Sequence, residues 1–242
     1  MRIIISPAKK MREDTDSFAA LGLPDFLDKT DVLLAALREK SYDQLRALWK
    51  CADGIARQNM ERLEKMDLRR GLSPALFAYE GIQYQYMAPG VMGAGELEYL
   101  QQRLRILSGF YGMLRPFDGV RPYRLEMQAK LAVPGARDLY SFWGEELARR
   151  LSSESDWVLN LASKEYSRAV TAYLPAESML TCVFGERAGG RVVEKGTMCK
   201  MARGQMVRWL AENKVDRRED IKEFSDLDYR FDQERENQFI FI

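Results

Sequence analysis

The chain has 242 residues, of which 46% are hydrophobic and 30% charged, a globular balance that excludes a disordered or fibrous protein. Its 37 Lys+Arg and 36 Asp+Glu nearly cancel, so no global field draws a nucleic acid or a membrane, and any anion site has to be local. There is no histidine, which excludes Ser-His-Asp and Cys-His nucleophiles and His-ligated metal centres; acid–base work would fall to Lys, Glu, Asp, Tyr or Cys.

In chain order, "RIIIS" (Arg2–Ser6) is a β-branched run closed by Pro7 and reads as a buried strand. Its apolar stretch is far too short for a signal peptide or a membrane span. Two helical stretches follow. The first carries Phe26, Leu27, Leu33, Leu34 and Leu37; the second, from Ser41 to Met66, carries Leu45, Leu48, Ala52, Ile55 and Leu63. Ser41 with Gln44 three residues on spells a capping box. "LFAYEGIQYQYM" (Leu76–Met87) reads as strand with a turn or bulge at Gly81. "GELEYLQQRLRILSG" reads as one helix ended by Gly109, with Leu97, Leu100, Leu104 and Leu107 on its stripe. Then come a helix in "DLYSFWGEELARRLSS", a strand in "WVLNLAS" broken by Asn160, and a short helix from Lys164. A β-hairpin turns at Gly189-Gly190, a helix covers "TMCKMARGQMVRWLAENKV", and an acidic tail ends in a strand-like "QFIFI". No Pro-, Gly- or Ser-rich linker divides the chain, so residues 1–242 read as one mixed α/β domain. The expected core is a central mixed sheet flanked by helices, with "RIIIS" and "WVLNL" both in its interior, since consecutive apolar positions fit strands covered on both faces.

Three cysteines, Cys51, Cys182 and Cys199, stand in no CxxC spacing, which fits a reducing cytosol better than a disulfide framework. The expected location is cytoplasmic, without a membrane partner. Charge is uneven: Arg103 to Lys130 holds six basic residues against two acidic, and Asp216 to Glu236 nine acidic against five basic.

Four motifs carry chemistry. "ISPAKK" puts Lys9 and Lys10 just after a strand, where open α/β sheets bind ligands; two solvated lysines are the plainer account. "NLASKEY" gathers Asn160, Ser163, Lys164, Glu165 and Tyr166 at a strand-to-helix junction, where an exposed helix start attracts anions. A cap explains Ser163 but leaves Asn160, inside an apolar strand, in need of partners. "KMARGQMVR" sets Lys200, Arg203 and Arg208 along one helix side with no acidic i+4 partner before Glu212. "LSGFYGMLRPFDGVRPYRLEM" collects Arg115, Arg121 and Arg124 on a proline-stiffened backbone, with only Asp118 and Glu126 as local counter-charges. Its Gly109 and Gly112 have the spacing of a helix-hairpin-helix DNA-binding turn, in which backbone N–H groups approach phosphates.

These motifs, with "AYEGIQY" and "DLYSFWG", run in the order of the YaaA family of peroxide-stress proteins, which the chain resembles along nearly its whole length. The resemblance implies a single-domain cytoplasmic protein with a basic cleft and a helix-hairpin-helix-like element, and links it to protection of DNA under peroxide stress and to lower free iron. It places Lys9, Gly109, Gly112, Arg115, Arg121, Arg124, Asn160, Ser163, Lys164, Tyr166, Lys200 and Arg203 in family motifs; Arg105 and Arg208 join the nucleic-acid-binding candidates as cations of the same stretches. Lys10 stands where the family more commonly has threonine. On this reading the partner is DNA, duplex or locally opened, bound with little base specificity, with Phe110, Tyr111 and Tyr123 free to stack on bases. The chain needs no cofactor or metal and is expected to be monomeric.

A second reading is an enzyme acting on a nucleobase or nucleotide, with Lys9, Asn160, Ser163, Glu165 and Tyr166 around a pocket. A deep pocket at the end of the "NLAS" strand favours the enzyme; a long open basic groove favours the binder. Either way, Lys9, Lys164, Lys200 and Arg203 are expected in one cleft.

Overall fold

In the computed structural model, which describes residues 1–242, the centre of the molecule is a seven-stranded sheet. From one edge to the other its strands are Phe231–Arg235, Gln238–Phe241, Met179–Phe184, Val158–Leu161, Arg2–Ile5, Leu104–Ser108 and Gly112–Leu114. The five middle strands are parallel, and an antiparallel hairpin closes each edge. Ile3, Ile4 and Ile5 are each fully buried, as are Leu159 and Leu161, because helices cover both faces. Both strands therefore sit in the interior of the same sheet, as their unbroken apolar runs require. One hydrophobic cluster of 66 residues joins the sheet to the ten helices around it.

Local signals survive where the chemistry is local. The Tyr42–Trp49 helix starts with Ser41 Oγ accepting the Gln44 N–H and the Gln44 side chain accepting the Ser41 N–H. Gly189 and Gly190 take positive φ, 56° and 76°, in the turn between Glu186–Ala188 and Arg191–Val193. That ribbon stands apart from the main sheet, which the chain leaves at Gly185.

Other segments differ from the sequence-based expectation. The stretch read as one helix to Gly109 is helical only over Ala94–Arg103; Leu104–Ser108 is a strand, turning through Gly109–Tyr111 into Gly112–Leu114. A short apolar run fits either period, and here every residue of Leu104–Ser108 is buried between layers. The segment is accordingly strand–turn–strand, and no second helix follows Gly112 to form a helix-hairpin-helix. Ser108 Oγ closes the turn by accepting the N–H groups of Phe110 and Tyr111 at 3.2 and 2.9 Å. Leu76–Met87 divides into a helix Ala75–Ala78, a short strand Tyr79–Glu80 and a helix Ile82–Met87. The second helical stretch splits at Lys50, which takes a left-handed φ of 45°, so Asp53–Glu64 turns a new face inward: Ala56, Asn59 and Leu63 are buried while Ile55 is exposed. In "DLYSFWGEELARRLSS" the helix likewise breaks at Gly144 into Leu139–Trp143 and Glu146–Glu154. Part of the acidic tail, Phe231–Arg235, is an edge strand, since Phe231 can pack on Phe239 and Phe241 while its charged neighbours face solvent.

Chain direction sets the location of the site. After Arg2–Ile5 the chain travels to Leu104–Ser108 on one side; after Val158–Leu161 it passes through the Lys164–Thr171 helix to Met179–Phe184 on the other. Connections leaving two adjacent parallel strands in opposite directions open a crevice at their carboxyl ends. Here those ends are Ile5 and Leu161.

Candidate functional site

The first residues past the two strands meet in that crevice. The Ser163 N–H donates to Ser6 Oγ at 2.8 Å, and the Ser6 hydroxyl donates to Ser163 Oγ at 3.2 Å. Ser163 starts the helix by backbone position, but its hydroxyl is committed to Ser6 and caps no N–H. The Tyr84 hydroxyl donates to the Ser6 carbonyl at 3.0 Å, tying the Ile82–Met87 helix to the same point. Over this floor lies a pocket of about 390 Å³, within the size range of small-molecule sites.

Five segments wall it. Lys9 and Lys10 follow the first strand, and Glu80, which pairs with Lys10, leads into Gly81 to Tyr84. Glu126 comes from the loop packed on Gly109, where an added Cβ would lie 2.6 Å from the Leu125 carbonyl oxygen. Glu165 and Tyr166 come from the helix after Ser163, and the Gly196–Glu212 helix adds Lys200 and Arg203. That helix is anchored at the sheet by the Cys199 thiol, which donates to the Phe184 carbonyl at 3.1 Å. Its approach depends on Gly204, where a Cβ would fall 2.1 Å from the Gln83 carbonyl oxygen.

Three of the four cations expected in one cleft, Lys9, Lys200 and Arg203, line this pocket. Lys164 lies between the lining residues Ser163 and Glu165 but is exposed and turned outside it. Of the residues named for an enzyme, Lys9, Ser163, Glu165 and Tyr166 line the pocket; Asn160 does not. Asn160 is buried, its Oδ1 accepting the Ala162 N–H at 3.0 Å and its Nδ2 donating to Thr181 Oγ1 at 3.2 Å. It holds the strand end in shape, which accounts for an amide in an apolar strand.

The arginine segment stands differently. Arg105 is buried beside Glu154 at 2.7 Å, and Arg2 reaches the same carboxylate at 3.0 Å. Arg121 pairs with Glu13 at 2.9 Å and donates to the Gly71 carbonyl at 2.6 Å. Arg124 lies 3.1 Å from Glu126 and donates to the Trp49 carbonyl; Arg115 lies 3.6 Å from Asp25. Arg208 pairs with Glu212. Phe110 and Tyr111 are fully buried and Tyr123 nearly so, its hydroxyl shared with Ser108 and Tyr79, so none is presented for base stacking. Gly112 has a φ of 73°, and a Cβ there would meet Trp143 at 2.7 Å; it serves core packing.

Burial and the neighbouring Glu126 carboxylate push Glu165 above the usual carboxylate range, against the N–H of Gln128 and the charge of Lys9. Burial pushes the Tyr166 phenol up as well, so it stays protonated. The pocket thus combines a carboxyl with a raised pKa, a phenol, two hydroxyls and cations, a set fit for acid–base work without histidine. Ser6, Glu80, Gln83, Tyr84 and Glu126 also line it and were absent from the sequence-based candidates. Ser6 carried one readable signal, its place directly after the first strand.

Fold and site together define an α/β protein with a polar crevice at a topological switch point. A sequence model described as peroxide stress protein YaaA matches residues 1–235, and the chain belongs to that family. It is 50% identical to a UPF0246 protein of Lachnoclostridium phytofermentans over 239 residues, covering 98% of this chain and 94% of the relative. A UPF0246 protein of Lactiplantibacillus plantarum is 50% identical over 245 residues, covering 100% and 99%, and one of Desulfitobacterium hafniense 49% over 245 residues, covering 100% and 98%. No helix is long and apolar enough to cross a membrane.

Proposed function

We propose that this peroxide-stress family protein is an enzyme acting on a small anion-bearing substrate of the nucleobase or nucleotide class in the Ser6–Ser163 pocket. The observation that carries this reading is the pocket's position. It sits where adjacent parallel strands send their connections apart, floored by a Ser–Ser hydrogen bond and walled by Glu165, Tyr166, Lys9, Lys200 and Arg203. Glu165 holds or moves the proton, Tyr166 donates a hydrogen bond, and the cations hold the anionic group. Incubating the purified chain with a mixture of nucleotides and nucleosides, followed by mass spectrometry, is expected to show consumption of one component by the native chain and not by Glu165→Gln. A mixture left unchanged by the native chain would overturn the enzymatic reading.

A second reading is supported by Lys164 and Lys200, exposed cations with no carboxylate within 4.0 Å, beside Lys9 and Lys10 at the pocket mouth. Together with Lys9 and Lys10, which are exposed but paired with Glu126 and Glu80, they make a modest footprint for DNA phosphates, bound without base specificity. Protection of DNA and lower free iron under peroxide stress fit either reading as a downstream effect, and rest on the family resemblance alone.

A further inference from the structure

The charges of the pocket pair unevenly. Lys10 Nζ lies 2.9 Å from Glu80 Oε2, and these two satisfy each other. Glu126 Oε1 lies 3.3 Å from Lys9 Nζ and 3.1 Å from Arg124 Nη2, yet it is met along no N–H direction and keeps a buried lone pair free. Glu165 has no cation within 4.0 Å; its Oε1 accepts only the Gln128 N–H, at 3.2 Å, which fixes it beside the Glu126 loop. At the other end Lys200 has no carboxylate within 4.0 Å. Arg203 has one partner, Glu194 at 3.3 Å, and a buried Nε–H without an acceptor. The pocket therefore offers unspent acceptors at one end and unspent donors at the other, and buried polar groups left unmatched are costly.

The sheet sets the distance between these ends. Arg203 lies one turn past Cys199, which is bonded at the end of Met179–Phe184, whereas Glu126 packs against Gly109 at the end of Leu104–Ser108. Those strands are three places apart in the sheet, so at ~4.8 Å per strand the strand ends from which the two groups are placed are separated by about 14 Å. A bare inorganic anion cannot bridge them. An extended molecule with an anion at one end and N–H donors at the other can.

Resting on the small-ligand reading above, we infer that the pocket takes a nucleoside monophosphate whose base carries an exocyclic amine, its phosphate at Lys200 and Arg203 and its amine against Glu165 and Glu126. Carboxylates accept from base amines, and Lys and Arg donors suit phosphate. Uracil presents no such amine, and ribose 5-phosphate lacks the base altogether.

Isothermal titration of the full chain with AMP, GMP, CMP, UMP, ribose 5-phosphate and inorganic phosphate tests this. At least one amine-bearing nucleotide is expected to bind about ten-fold or more tightly than UMP and ribose 5-phosphate, the scale of one charged hydrogen bond. Glu165→Gln, which replaces a charged acceptor with a neutral one, is expected to lower that preference while leaving ribose 5-phosphate affinity unchanged. Lys200→Met is expected to weaken all phosphate compounds alike and to spare the preference. Equal binding of ribose 5-phosphate and every nucleotide would overturn the inference and leave a simple anion pocket, with the small-ligand reading intact. An undiminished preference in Glu165→Gln of native melting temperature would also overturn it. Saturable binding by none of the six would overturn both.

Discussion

An arginine in a core-facing loop needs an acceptor, and this chain supplies one from within at each of Arg105, Arg121 and Arg124. Two of the carboxylates, Glu154 for Arg105 and Glu13 for Arg121, are distant in sequence, which is why those arginines read as unpaired when scanned locally, whereas Arg124 meets the nearby Glu126. The same loop buries Asp118, whose Oδ2 accepts the Arg115 N–H at 2.8 Å. Burial pushes the Asp118 carboxyl up to about 6, with Asp25 adding to the shift and the Arg115 N–H opposing it. A carboxyl raised on folding binds more protons in the native state than in the unfolded chain over the interval between its two pKa values. Its contribution is therefore most favourable at about pH 4 and below, and is lost as pH rises to about 6, by on the order of 2–3 kcal/mol. Asp118→Asn keeps the acceptor for Arg115 and removes the titration. Urea unfolding at pH 4.5 and 7 should show the native chain losing stability relative to Asp118→Asn as pH rises. Parallel pH dependence in the two proteins would refute this account of Asp118.

At the scale of elements, the Gly196–Glu212 helix shows how packing overrides propensity. A glycine in an exposed helix interior costs about 1 kcal/mol against alanine, so replacing it ordinarily stabilises. Gly204 should behave in the opposite way, because its Cβ would sit 2.1 Å from the Gln83 carbonyl oxygen in the Ile82–Met87 helix. We expect Gly204→Ala to destabilise by about 1–3 kcal/mol through overpacking, and to lower the melting temperature by several degrees. Because Lys200 and Arg203 ride on the same helix, phosphate binding should weaken with it. A melting temperature equal to or above that of the native chain would show that the two helices separate without cost. The Leu104–Leu114 hairpin shows the same priority: its leucines match a helical stripe, and a slot beside Arg2–Ile5, covered on both faces, made the segment a strand.

For the molecule as a whole, near-neutral charge is achieved largely by pairing through the fold, and of the cations without a carboxylate within 4.0 Å, Lys200 lines the pocket and Lys164 stands next to its lining residues Ser163 and Glu165. Binding to duplex DNA through Lys9, Lys10, Lys164 and Lys200 predicts a log–log salt slope of about −3 to −4, at roughly −0.9 per phosphate. Lys164→Ala with Lys200→Ala should flatten the slope by about two, and Arg121→Ala should leave it unchanged in a folded protein, because Arg121 is held by Glu13. Duplex binding without salt dependence, or a slope that responds to Arg121 instead, would remove the lysine rim as the contact. Thiol chemistry is not prominent at this scale: burial pushes the Cys182 and Cys199 thiols up, away from the reactive thiolate.

The sequence by itself determined what depends on near neighbours. The apolar runs of Arg2–Ile5 and Val158–Leu161 already required strands covered on both faces, and Ser41 with Gln44 required a helix start. The glycine pair set a turn, and the absence of histidine set the range of chemistry. Motif order placed the chain in its family and brought Lys9, Ser163, Glu165, Lys200 and Arg203 into view as candidates. Only the tertiary structure decided which candidates meet. Partner choice for a charge, and burial of a side chain, depend on residues far along the chain, 49 positions away for Arg105 and Glu154 and 157 for Ser6 and Ser163. No local window carries that information: the arginines of the cluster found their partners within the fold, and Ser6 joined Ser163 as the floor of the pocket.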